Sequence, residues 1–233
     1  MRPPASLAAA LLLVAAAGAQ AHGMADSDAA FAASAGGLRF LPFVYLGAKH
    51  MVTGVDHLLF LAGVVFFLTR ASDVARYVTL FAVGHSLTLL AGVLLHWRVD
   101  AQAADFWIAL SVVWKALDNL GGLKTLSGVQ PDPRAAVLVF GLVHGIGLAG
   151  RLQELALPAQ GLVGKLVAFN LGVELGQLAA LGGIVTALFA WRRTAGFGRQ
   201  ALAANLVLMT AGFVLAGWQL AAYALRAGQG GVA

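Results

Sequence analysis

The chain has no cysteine, which excludes disulfides and thiolate metal sites together. It is also short of charge. Of 233 residues, 11% are Asp, Glu, Lys or Arg and 60% are hydrophobic. A soluble domain carries about a quarter charged residues, so this chain has too little polar surface to face water on all sides. Its four methionines are scattered, which argues against a thioether relay for Cu(I). Nothing in it resembles a nucleotide-binding loop, so the chain is not itself an ATPase. The formal charge of +5 does not mark a nucleic-acid binder. The basic residues sit between apolar runs, as charges that set membrane topology do, rather than along one face or in a tail. Lipid is therefore the expected partner, and nucleic acid is not.

What the chain does have is apolar length. At about 20 residues per helical span, it has room for six or seven spans and almost no extramembrane domain. Residues 1–21 read as a cleavable signal peptide. Arg2 supplies the positive start, Leu7 to Ala17 the apolar stretch, and Ala19-Gln20-Ala21 an A-x-A cleavage site. Residues 22–37 form a short extracytoplasmic segment. Cleavage would leave His22 at the mature N-terminus, where its amine and ring nitrogen together can capture a metal ion.

The expected architecture is all-α, a polytopic helical membrane protein with about six spans over residues 38–226 and a short tail at 227–233. The first span runs from about 53 to 69, after an apolar stretch at 38–51. The second covers 74–96, the third 103–120, the fourth 134–150 after the Pro131-Asp132-Pro133 turn, the fifth 161–191 and the sixth 201–225. A bacterial inner membrane with both mature termini outside puts Arg70, Arg76, Lys124, Arg134, Arg192, Arg193 and Arg199 on the cytoplasmic side. Asp100, Asp105 and Glu154 then fall in external loops, a bias of the right sign. Lys115 and Asp118, three apart, read as an ion pair near the cytoplasmic side, and His96 beside Trp97 as a solvated boundary residue.

Several ionisable groups lie inside the apolar runs, where each costs at least about 2.5 kcal/mol on insertion scales. They are His50, Asp56 and His57 at the first span, His85 beside Ser86 in the second, His144 in the fourth, and Glu174 with Asn170 and Gln177 in the fifth. His50 and His57 share a face if one helix includes both. Asn170, Glu174 and Gln177 make one stripe. At about 1.5 Å per residue, His57 lies roughly 20 Å from Arg70, His85 roughly 14 Å from Arg76 and His144 roughly 15 Å from Arg134. Glu174 lies roughly 14 Å in from Lys165. Four spans thus offer ligands at similar depth. Imidazole with carboxylate suits Ni²⁺, Co²⁺, Zn²⁺ or Fe²⁺.

These residues carry a resemblance to the HupE/UreJ family of bacterial membrane proteins, whose first-span signature is His-Pro-x-x-Gly-x-Asp-His. His50, Gly54, Asp56 and His57 match it, with Met51 in place of the proline. The runs Phe140-Gly141-Leu142-Val143-His144-Gly145 and Phe169 to Gln177 look like the second branch of that family, and the likeness covers roughly residues 40–190. It implies passage of Ni²⁺ or a similar ion by a secondary or facilitated route.

Three functions fit the residues. The first is a divalent-metal permease using His50, Asp56, His57, His85, His144 and Glu174, supported by Ser86, Asn170 and Gln177, with capture at His22. The second is an intramembrane metalloenzyme in which the same residues hold Zn²⁺ or Fe²⁺, an acid serves as base and Ser86 orients substrate. The third is a structural membrane subunit whose histidines are satisfied by packing. A homo-oligomer is compatible with all three.

Overall fold

The computed structural model describes residues 40–154 and 160–230, so the signal peptide and His22 lie outside the described residues. Every regular element among the described residues is a helix: α1 Leu41–Thr53, α2 Val55–Val65, α3 Ala71–Leu94, α4 Ala101–Asn119, α5 Gly122–Ser127, α6 Pro133–Glu154, α7 Leu162–Arg192 and α8 Phe197–Gly230. Four of them, α3, α6, α7 and α8, are long and apolar enough to cross a membrane. The two other expected spans have different make-up. α4 is 19 residues long but carries Asp105, Lys115 and Asp118, and the expected first span, 53–69, holds only the 11-residue α2, which a break separates from α1.

The main departure from the expected first span is its shortness. The apolar stretch before residue 53 is a full helix, and the chain leaves helical geometry at Gly54, where ψ is 102°. A β-carbon on Gly54 would stand 2.7 Å from Nδ1 of His57, so the break is tailored to that ring. α2 then begins with Asp56 in its first turn, where the helix dipole favours a negative charge. In lipid, broken helices of this kind are tolerated where the freed backbone is buried in protein.

The helices associate in pairs: α3 lies along α6, α1 along α7 and α4 along α8, while α4 also meets α6. α2 sits among them, touching α1, α3, α4, α7 and α8. Lipid tails are as apolar as leucine, so the hydrophobic effect does not drive helices together here, and close backbone approach over small residues does. A β-carbon on Gly84 of α3 would stand 2.6 Å from the Leu138 carbonyl oxygen, and one on Gly141 of α6 would stand 2.5 Å from that of Phe81. Across the same seam the Thr88 hydroxyl donates to the Leu142 carbonyl at 2.7 Å.

Two polar ties hold α2 in this frame. Asn119 of α4 donates to the Gly63 carbonyl and to Asn205 of α8, each at 2.9 Å. At the far end the Arg192 guanidinium of α7 donates to the carbonyls of Val65, Phe66 and Leu68 at 2.5–2.7 Å. Those carbonyls lie at and just beyond the end of α2, where the helix's own ladder runs out, and a charged donor to them contributes about 2 kcal/mol. The expected Lys115–Asp118 pair is present at 2.6 Å. His96 is exposed, as expected. The helix after the Pro131-Asp132-Pro133 turn starts at Pro133, with Asp132 accepting from the Arg134 amide at 2.9 Å.

Candidate metal centre

Three of the four intramembrane histidine positions are carried by α2, α3 and α6, and the helix pairing determines where they meet. His57 lies in the first turn of α2. His85 follows Gly84 on α3, and His144 follows Gly141 by three residues on α6, so the tight α3–α6 contact presents both rings toward α2. His50 reaches the same place from the last turn of α1 because the chain breaks at Gly54. The His57 ring centre is 5.1 Å from those of His50 and His144 and 6.2 Å from that of His85. His57, His85 and His144 are all at least 96% buried.

The hydrogen bonds decide what these rings present to one another. His144 Nδ1 lies 2.7 Å from the Phe140 carbonyl oxygen. A carbonyl can only accept, so Nδ1 carries the proton and Nε2 keeps its lone pair. His57 Nδ1 lies 3.0 Å from Asp56 Oδ1, and that oxygen also accepts the His57 backbone amide at 2.9 Å. Here too Nδ1–H donates and Nε2 is left as an acceptor. The Nε2 atoms of His57, His85 and His144 are buried with no hydrogen-bond partner, a loss of about 1–3 kcal/mol for each.

The chemistry of a site lined by lone pairs is that of a Lewis acid's receptor. A carboxylate or backbone carbonyl behind the other ring nitrogen is the usual support of a metal-bound histidine, because it orients the ring and raises its basicity. Two imidazoles sharing a metal at about 2.1 Å hold their ring centres about 4.6 Å apart at a right angle and about 6.5 Å apart when opposed. The observed separations fall within that range. As the side chains stand, however, no group of three or more His, Asp and Glu side chains among the described residues is disposed to hold an ion. The His50, His85 and His144 rings stand edge to face against that of His57, at 68–76°.

The surroundings differ on the two sides of the rings. Toward the Arg192 end lie Phe60, Phe81 and Phe140, with Phe60 and Phe81 each within 5.3 Å of the His144 ring centre and Trp114 backing Phe140 at 5.1 Å. Toward the other end a narrow cavity of about 10 Å³ is lined by His50, Asp56, His57 and His144, then Ile108 and Leu148, then Asp105 and Arg151. That is room for about one water molecule. Asp105 was expected in an external loop. It is instead the fifth residue of α4, 4% exposed and ion-paired with Arg151 of α6.

Sequence reasoning missed this pair. Its signal was a lone acid and a lone base, each about one turn inside the end of an apolar run.

Glu174 does not join the histidine-lined cavity. With Ser86 and Gln177 it lines a separate, laterally open groove of about 540 Å³ between α3 and α7, whose other walls are Val78, Thr79, Ala82, Val83, Leu87, Leu90 and Leu178. The expected stripe does form along α7. Asn170 donates to Glu174 at 3.2 Å, and Gln177 donates to the Val78 carbonyl at 3.3 Å. What differs is its direction, since α7 turns Gly172 and Gly176 toward α1 and the stripe toward the seam with α3.

Compared with known families, residues 26–227 match the family described as HupE / UreJ protein. No curated protein and no solved structure matches the chain.

Proposed function

The chain belongs to the HupE/UreJ family, and from that premise we propose that it is a divalent transition-metal permease, carrying Ni²⁺ or Co²⁺ through the histidine cluster. The observation that carries this reading is the set of buried, unpartnered Nε2 atoms on His57, His85 and His144, two of them held as lone-pair donors by bonds behind the ring. A dication satisfies all of them at once. His50 stands within reach of His57, and Asp56 supplies charge that offsets the ion in a low dielectric. The protein sits in a bacterial inner membrane with both mature termini outside, so the Asp105–Arg151 end faces outward and the Arg192 end faces the cytoplasm. The metal is substrate rather than a resident cofactor. His22 would act as an outer capture ligand, and Glu174, in its own groove, would support passage rather than hold the ion with the histidines.

The metalloenzyme reading has less support. It needs Ser86 beside the metal to orient substrate, and Ser86 lines the α3–α7 groove with Glu174. A purely structural role leaves the unpartnered ring nitrogens without a reason.

The test is uptake into sealed vesicles holding the purified protein, with Ni²⁺, Co²⁺ and Zn²⁺ offered separately. The permease predicts saturable uptake and exchange of external against internal metal. Metal that stays bound while the vesicle interior gains none would overturn it.

One quantitative expectation follows from the bond behind His57. Asp56→Asn keeps the volume but exchanges the carboxylate for an amide, weakening the hold on Nδ1–H and lowering ring basicity. Such changes cost about 10- to 100-fold in metal affinity. Equilibrium dialysis of the purified variant against Ni²⁺ reads this directly, and an unchanged affinity would remove Asp56 from the centre.

A further inference from the structure

The Asp105–Arg151 pair is the one charged feature of the cavity that metal binding at the histidines does not use. Asp105 is almost wholly buried, and its carboxylate is paired with Arg151, whose side chain is 16% exposed. Both residues line the same narrow cavity as His50, Asp56, His57 and His144. Leu148 lies three residues from Arg151 on α6, and His144 seven. The pair therefore stands two turns, roughly 10 Å, along the helix from the His144 ring, with Ile108 and Leu148 walling the space between. The Nε2 atoms of His57 and His144, buried and unpartnered, belong to residues lining that same space.

An arginine is an odd residue to find at the mouth of a cation site. Its charge cannot be titrated away, so it repels an incoming dication for as long as it stays. Asp105 cancels that charge in the resting state, and only while the two are paired. A dication entering the cavity presents the same carboxylate with a stronger partner. Arg151 also has another place to go. It is in the last turn of α6, where a helix end attracts cations, and Glu154, three residues on and exposed, offers an i, i+3 partner.

We infer that Asp105 is a loading ligand for the divalent cation at the mouth of the cavity, and that Arg151 is a built-in competitor which the ion displaces from it. The inference rests on the permease reading above. In the empty protein the guanidinium closes the mouth and satisfies the acid. As metal arrives, Asp105 exchanges Arg151 for the ion, the guanidinium swings toward Glu154, and the ion passes on to the histidines. A monovalent ion, with half the charge, competes less well for the carboxylate, so the pair also selects for divalent cations.

The test measures Ni²⁺ affinity by equilibrium dialysis of the full-length purified protein, with thermal melting beside it. Arg151→Gln removes the competitor and is expected to tighten Ni²⁺ binding by about tenfold, while Asp105→Asn weakens it by a similar factor. Arg151→Lys keeps the competing charge and stays near the parent. A pair that merely staples α4 to α6 predicts instead that both neutral variants melt earlier and bind Ni²⁺ as the parent does or more weakly; that outcome would overturn the proposal.

A second measurement needs no variant. In the folded parent, Ni²⁺ is expected to raise the rate at which phenylglyoxal modifies Arg151, read by peptide mass spectrometry, and an unchanged or slower rate would overturn the displacement. The two readings fail differently. A parent that binds no metal sinks the permease, whereas a parent that transports Ni²⁺ while Arg151→Gln binds no more tightly sinks only the role of this pair.

Discussion

His57→Ala is expected to abolish saturable metal uptake and to lower Ni²⁺ affinity by more than about a hundredfold. The size of the effect follows from the position of the ring. His57 is the member of the cluster whose ring contacts all three of the others, and its Nδ1 is held by Asp56, so its removal deletes a ligand and leaves Asp56 without the ring it orients. Losing one metal–nitrogen bond together with its supporting hydrogen bond exceeds the 10- to 100-fold cost of disturbing the support alone. Glu174→Gln serves as the internal comparison. Because Glu174 lines a different groove, its neutralisation should leave equilibrium affinity within about threefold of the parent, inside the usual spread for a site without shared partners. Dialysis against Ni²⁺ separates the two. Equal losses in both variants would mean that the carboxylate reaches the ion, and the division between cavity and groove would have to be abandoned.

The second large effect is expected from Gly141→Leu. A β-carbon at this position already meets the Phe81 carbonyl oxygen at 2.5 Å and the Phe81 Cα at 3.1 Å. Both are backbone, so no side-chain rotation relieves the clash, and α3 must move away from α6. That displacement stretches the Thr88–Leu142 bond and carries His85 away from His144. Overpacking of this kind costs about 3 kcal/mol. For a chain of this size each kcal/mol lowers the melting temperature by about 2–4 °C, giving a fall of about 6–12 °C. Metal binding should be lost even in the fraction that stays folded, because the two rings are placed by the contact that the leucine opens. Parent-like melting together with parent-like Ni²⁺ affinity would show that the α3–α6 seam yields, and that the cluster does not depend on it.

Much of the site was legible in the sequence because a membrane makes polar residues conspicuous. His85 and His144 stand alone in apolar runs, and counting residues from Arg76 and Arg134 gave both a similar depth. Rise per residue is a property of the helix itself, so depth can be read from spacing. Rotation about the axis cannot be read that way. A soluble helix declares its buried face by an apolar stripe, whereas α7 is apolar nearly all round, so nothing in its pattern said that Glu174 would turn toward α3. The Asp105–Arg151 pair was out of reach on other grounds. Its members are 46 residues apart, and each alone looks like a flanking charge. Only the approach of α4 to α6 makes them partners.

The phenylalanines on the Arg192 side of the cluster have an electrical meaning. A membrane that stores energy as an ion gradient discharges if a protein threads it with a continuous file of water and imidazole. Phe60, Phe81 and Phe140 interrupt such a file directly beneath the rings, since none of the three can accept or relay a proton. The cavity on the Asp105 side and the Arg192 end are thereby kept apart by aromatic rings. On the permease proposal, such a barrier would keep the protein from leaking protons while no cargo moves.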